Sequence, residues 1–174
     1  MAGEEELPEE LAAFLAELGI ATRTVTHPPL FTVEESQRFR GEIPGAHTKN
    51  LFVKDKKGRI FLVTALEETI VDLKHLHRAI GASGRLSFAS AESMQALLGV
   101  RPGAVTVFGL INDTDGQVSF VLDRQLLEHP AINAHPLVNT ATTTISRDDL
   151  LRFVRATGHE PLVATLSATD GNEL

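Results

Sequence analysis

The run "RIFLVTAL", Arg59 to Leu66, carries apolar side chains at both odd and even positions, so as a strand it has no face to offer water. A strand of that kind belongs inside a sheet covered on both sides. "NLFVKD" precedes it, and "KKG" between the two reads as a tight charged turn, which makes a hairpin near the middle of the chain. At 174 residues the chain is long enough for one substantial core and short enough to favour a single domain.

The flanking sequence predicts alternating elements. Helical spacing runs through "LPEELAAFLAEL" and stops at Gly19, and "IATRTVTH" alternates like a strand before Pro28 and Pro29. Thr32 and Glu35 form a capping pattern for a short helix reaching about Arg40. "ETIVDLKHLHRAIG" reads as a helix ending at Gly81, "RLSFAS" as a short strand, and Ser90 as the cap of the helix "AESMQALLG". "AVTVFGLIND" and "QVSFVLD" read as a second hairpin around Asp113 to Gly116. "TATTTIS" is β-branched, Ser146 caps "RDDLLRFVRATG", and "EPLVATLS" closes the series as a strand. About seven strands interleaved with about five helices predict an α/β fold with a mixed sheet.

Composition removes several chemistries. With no cysteine there is no disulfide, no thiolate nucleophile and no Cys-based zinc site. His75 and His77 are two apart on an expected helix and point to different faces, while His129 and His135 each precede a proline around "PAINA", a pattern of ordered loops. There is no His-Glu-x-x-His, G-x-S-x-G, P-loop or dinucleotide glycine loop, and no metal or cofactor is expected. No apolar run reaches a membrane span, and the acidic start "MAGEEELPEE" is unlike a signal peptide, so the expected location is the cytoplasm.

The net charge of −7 disfavours generic binding to phosphate backbones, but the charge is uneven. Between Lys49 and Arg85 there are eight Lys and Arg against four Asp and Glu. A solvated turn and helix face explain this pattern; so does a local face for a limited piece of nucleic acid. One further oddity stands just before the central hairpin, where His47, Thr48, Lys49 and Asn50 form a polar row at its mouth. A lysine there can orient a carbonyl or a phosphate, or it can be an ordinary solvated side chain.

The segments "GAHTKNLFVKDKKGRIFLVTAL", "GRLSFAS", "GAVTVFGLINDTDGQVSFVLD" and "HPLVNTATTTIS" together resemble the bacterial editing domains related to the insertion domain of prolyl-tRNA synthetase, the YbaK family. The match is nearest to its free-standing branch, which removes alanine from mischarged proline tRNA, and it runs from about Leu11 to about Thr165. The resemblance implies a single editing domain over 1–174, built on a strongly curved mixed sheet surrounded by helices. It places the family's essential lysine at Lys49, with Thr48 and Asn50 beside the substrate. The family's Gly-x-x-x-Pro loop falls on "GAVTV", where Gly103 is kept and Val107 replaces the rigid proline with another apolar residue. By the same resemblance His135 and Asn139 line the pocket, and backbone N–H groups near Gly103 and Gly109 complete it. For His135 and Asn139 a loop role, satisfying backbone groups, is the competing reading. Lys54, Lys56, Lys57 and Arg85 are the expected contacts to the tRNA acceptor end.

The implied activity is a metal-independent trans-editing deacylase for alanyl-tRNA(Pro), with the tRNA's own terminal hydroxyl assisting and a prolyl-tRNA synthetase as a transient partner. The aminoacyl ester is already activated, so the protein has mainly to hold it, polarise its carbonyl and admit water. Alanine is selected by a pocket too small for proline's ring, the second sieve that a synthetase built for proline requires. Two alternatives stay open at this point: a relative that clears cysteine or serine from tRNA, and a tRNA-binding module without turnover.

Overall fold

The computed structural model describes residues 3–4, 7–29 and 43–167. The central hairpin is formed by β3, Ala46–Lys54, and β4, Ile60–Leu66, paired antiparallel from Thr48↔Leu66 to Lys54↔Ile60. Its two faces bury into different clusters. Phe52, Leu62 and Leu66 join Phe108, Phe120, Leu122 and Phe153 on one side, while Val53, Phe61, Val63 and Ala65 join Leu76, Ile80, Val121 and Ala164 on the other. Burying side chains of this size stabilises by about 1.5–3 kcal/mol each, so β4 contributes to the core through both parities.

Seven further strands extend the sheet: β1 Gly3–Glu4, β2 Arg23–Thr26, β5 Ser87–Phe88, β6 Val118–Asp123, β7 Ala131–Ala134, β8 Ala141–Ser146 and β9 Leu162–Ala164. Their order is β1-β2-β8-β7-β3-β4-β6-β9, with β5 paired to β3 beside the far end of β7's edge. The β3–β7, β4–β6 and β6–β9 pairs are parallel and the others antiparallel, so the sheet is mixed as expected.

Four α-helices pack around it: α1 Glu9–Glu17, α2 Leu76–Ile80, α3 Ala91–Leu98 and α4 Arg147–Ala156. The Ser90 and Ser146 side chains accept from the Ser93 and Asp149 amides, as their positions predict, and α4 buries Leu150, Phe153 and Val154 at helical spacing. Phe153 packs edge-on against both Phe14 of α1 and Phe108.

Four sequence expectations are corrected. His47 to Asn50 lie inside β3, not in a loop before it. The segment from Glu67 to His75 is not helical, because Thr69 Oγ1 and the Leu66 amide donate to Asp123 Oδ2 at 2.7 and 3.0 Å, and Val71 bridges to Ser167. "VFGLIN", Val107–Asn112, is a 3₁₀ helix and not a strand, since the Thr106 hydroxyl caps it by accepting from the Phe108 amide. The second hairpin is therefore absent, and "AINA", read as loop, is strand β7. The expected helix from Thr32 to about Arg40 lies outside the described residues.

Candidate active site

The direction of each β3 side chain follows from its register. His47 O accepts from the Glu67 amide at 2.8 Å, so odd-numbered residues of β3 bond toward β4, while Phe52 O accepts from the Ala89 amide at 2.9 Å on the opposite edge. Along that opposite edge β7 pairs only with Ala46 and His47, and β5 only with Val53 and Lys54. Between them, from the carbonyl of Thr48 through Asn50, the backbone faces an edge with no strand partner among the described residues. Side chains alternate across the same stretch: Thr48 and Asn50 share the face of Phe52, and Lys49 and Leu51 share the face of Val53. The site expected around "HTKN" thus straddles a sheet edge, with Lys49 above it and Asn50 below.

Lys49 is half-buried and its side chain has no hydrogen-bond or ion-pair partner among the described residues. Its stem is partly covered while its ammonium is not among the buried unpartnered atoms, so the charge is open to solvent and to a ligand. Asn50 is held instead: its Oδ1 accepts from the Thr64 hydroxyl at 2.6 Å, and Thr64, directly across on β4, is fully buried. This bond fixes the amide plane and leaves Asn50 Nδ2 free to donate.

A polar network continues on the β7 side. Thr48 Oγ1 donates to Asn133 O at 2.7 Å, and Asn133 Nδ2 donates to Pro44 O at 3.0 Å and more weakly to Ala46 O. Asn133 Oδ1 accepts from the Thr144 hydroxyl. His135, at the end of β7, donates from Nδ1 to Ala141 O at 3.1 Å. Burial lowers its pKa, the Ala141 carbonyl opposes that shift, and the nearby His27 and His47 rings add to it. A neutral ring that donates through Nδ1 presents Nε2 as a basic lone pair. His27 is itself tied down, with Nε2 accepting from Thr142 at 2.8 Å.

The remaining expected residues divide. Gly103, at φ +91°, approaches Asn139: a Cβ built on it would lie 3.9 Å from Asn139 Nδ2, so the "RPGA" and "HPLVN" loops meet. The second of these loops holds Leu137 at φ 71°, a left-handed conformation that costs a non-glycine residue about 1–3 kcal/mol and marks a constrained segment. Val107 is fully buried in the core. Gly109 donates its amide to Thr106 O at 3.1 Å, and a Cβ there would meet Leu98 at 2.9 Å. Its lack of a side chain serves the packing of the 3₁₀ helix on α3, and its amide is already engaged.

Lys54, Lys56, Lys57 and Arg85 are all exposed. The acid among them is turned inward, since Asp55 accepts from the Lys57, Arg59 and Ser83 amides at 2.9 Å each. Those bonds, led by Ser83, hold its carboxyl below the ordinary value against the effect of burial. Lys56 crosses over Gly84, where a Cβ would come within 2.6 Å of its side chain, so the turn and the segment before β5 form one basic surface. Thr64, Asn133 and Thr144 were not signalled by sequence; each is an ordinary strand residue until the register is known. The buried pair His159 and Asp113, 2.7 Å apart, was also missed, and it ties the end of α4 to the turn after the 3₁₀ helix. A separate cleft of about 290 Å³ near His159, Arg59 and Phe61 lies at the opposite end of β4 from Lys49. Among the described residues no cluster of three or more His, Asp or Glu could hold a metal, and no helix is long and apolar enough to cross a membrane.

The chain belongs to the aminoacyl-tRNA editing domain family, whose profile matches residues 27–153, and the mixed sheet with its central hairpin is the fold on which the lysine, the anchored asparagine and the basic turn are set. Among individual relatives it is 44% identical over 167 residues to the mouse (Mus musculus) protein named prolyl-tRNA synthetase associated domain-containing protein 1, covering 94% of this chain and 98% of that one. It is 38% identical over 152 residues to the prolyl-tRNA editing protein ProX of Acetoanaerobium sticklandii, covering 87% and 92% of the two chains. A solved structure described as a candidate trans-editing enzyme for prolyl tRNA synthetase shares the fold, with a TM-score of 0.71 at 24% identity and coverage of 92% and 96%.

Proposed function

We propose that this protein is a trans-editing deacylase that hydrolyses alanine from mischarged proline tRNA, without a metal. The observation that carries the reading is Lys49, a half-buried cation without a partner among the described residues, next to the one stretch of β3 whose edge lacks a strand partner. An aminoacyl ester laid across that edge meets Lys49 on one face and Asn50 Nδ2 on the other. In this scheme Lys49 stabilises the oxyanion that develops on the ester carbonyl, and the outward amide of Asn50 supplies a second donor in place of Gly109, whose amide is engaged. Water attacks the carbonyl carbon and the bond to the ribose oxygen breaks. The water's proton passes to that oxygen, with His135 Nε2 or the ribose's neighbouring hydroxyl as the carrier.

Names of relatives that refer to prolyl-tRNA synthetase and prolyl-tRNA editing support proline tRNA as the carrier and the synthetase as a transient partner. Asn50, which matches the alanine-specific branch, supports alanine as the amino acid. The test is deacylation of proline tRNA charged separately with alanine, cysteine, serine and proline, with and without chelator. Hydrolysis of the alanyl ester, insensitive to chelator, is expected. Preference for the cysteinyl or seryl ester would overturn the substrate assignment, and loss on chelation would overturn the metal-free mechanism.

A further inference from the structure

All of the chain's aromatic residues are phenylalanines, and Phe52, Phe61, Phe108, Phe120 and Phe153 are buried. Phe88 is the contrary case, 62% exposed on the two-residue strand β5. Register fixes where it points. Phe88 pairs with Val53, so it stands on the same sheet face as Lys49 and Leu51. At ~3.4 Å per strand residue, Val53 is about 14 Å along β3 from Lys49, and the open edge runs between them.

The surroundings of Phe88 are basic. Arg85 lies three residues before it and Lys56 covers Gly84, while Lys54, paired with Ser87, extends from the opposite face at the same end of β3. The segment from Gly81 to Ser90 contains no acid, and Asp55 is turned inward onto backbone amides. A solvent-facing aromatic ring amid cations, in a protein of net charge −7, has the chemistry of a platform on which a nucleobase stacks while its phosphates are neutralised.

We infer that Phe88 is the stacking platform for an unpaired base of the tRNA acceptor end, one of those preceding the aminoacylated nucleotide, with Lys56 and Arg85 on the adjoining phosphates. The inference rests on the proposed function, because the distance from Lys49 determines which nucleotides reach the ring. It adds a reason for the enzyme to prefer a whole acceptor end over an aminoacyl ester alone.

Two measurements test it. First, kcat/KM is compared for alanyl-tRNA(Pro) and for alanyl-adenosine, which ends before the proposed platform. Phe88→Ala and Phe88→Leu are expected to lower the ratio of the two values by roughly 5- to 150-fold, mainly through KM for the tRNA, with Phe88→Trp close to the parent. Equal losses on both substrates, or a Leu variant as good as the parent, would overturn stacking. Second, Phe88→Trp creates the only tryptophan in the chain, and uncharged proline tRNA is expected to quench its fluorescence with a salt-dependent midpoint. This readout needs no turnover, so a protein without deacylase activity that still quenches refutes the proposed function and keeps the platform. Unchanged fluorescence, or a Phe88→Ala variant that converts a dimer to a monomer in sedimentation, would instead assign the ring to another contact.

Discussion

Replacing Thr64 by valine tests whether the site is held by the cross-strand bond to Asn50. Thr64 is fully buried and valine has nearly its shape, so no cavity opens and strand preference is kept; the change removes one hydroxyl donor. The lost bond is 2.6 Å long and ends on Asn50, which is half-buried, so water replaces part of it. A net hydrogen bond is worth about 0.5–1.5 kcal/mol and an orphaned buried acceptor about 1–3, which puts the expected loss near 1 kcal/mol. For a chain of this length that is a fall in Tm of about 2–4 °C by calorimetry. The activity effect should be larger than the stability effect, because Asn50 loses the contact that sets its amide plane. We expect kcat/KM on alanyl-tRNA(Pro) to fall about tenfold or more in Thr64→Val. Thr64→Ser keeps the hydroxyl and should restore the rate even though it loses a buried methyl. A valine variant as active as the parent, or a serine variant as poor as valine, would refute the positioning role.

Three further outcomes follow from the same geometry. Asp113→Ala leaves the buried His159 ring and the Gln117 and Val118 amides without their acceptor, and should cost about 1–3 kcal/mol for each buried group orphaned, read by urea unfolding. Gly109→Ala drives a methyl against Leu98 and should destabilise by about 1–3 kcal/mol. His135 has a folded pKa below its ordinary value of 6.5, chiefly through burial, so the unfolded chain binds the proton more readily. The stability it contributes is full above pH 6.5 and is lost as pH falls through the folded value, and urea midpoints measured across that window should show the fall in the parent and a smaller one in His135→Gln.

What the sequence made legible is the part of the fold that repeats a pattern. β4 is apolar at every position but Thr64 and needs cover on both faces, and α3 and α4 carry serine caps with apolar residues at helical spacing. Where a long-range contact decides, the local pattern misleads. Leu73, Leu76 and Ile80 are spaced as on a helix, yet Asp123 holds the chain at Thr69 and Ile70 stands 81% exposed, so only the last part coils. "AVTVFGLIND" is β-branched at its start, but the Thr106 cap and the close approach of Gly109 to Leu98 favour a tighter helix. β3 looked like a loop because its first residues are polar, and they are polar because they face an open edge and a network instead of the core. Lys49 could be singled out by resemblance, whereas Thr64 could not, since only the register shows which residue stands across from Asn50. The family pattern singles out Val107 and Gly109 for the pocket, and the structure adds what each packs on, the core for Val107 and Leu98 of α3 for Gly109.

In the proposed mechanism ester hydrolysis depends on Lys49 above any other residue. The most direct test is single-turnover deacylation of alanyl-tRNA(Pro) by the parent, Lys49→Ala and Lys49→Arg, alongside thermal melts of all three. Lys49→Ala should lose about a hundredfold or more in rate, the range for removing one oxyanion donor, with little change in Tm because the ammonium has no partner to lose among the described residues. A Lys49→Ala variant that melts with the parent and hydrolyses the ester at the parent's rate would contradict it.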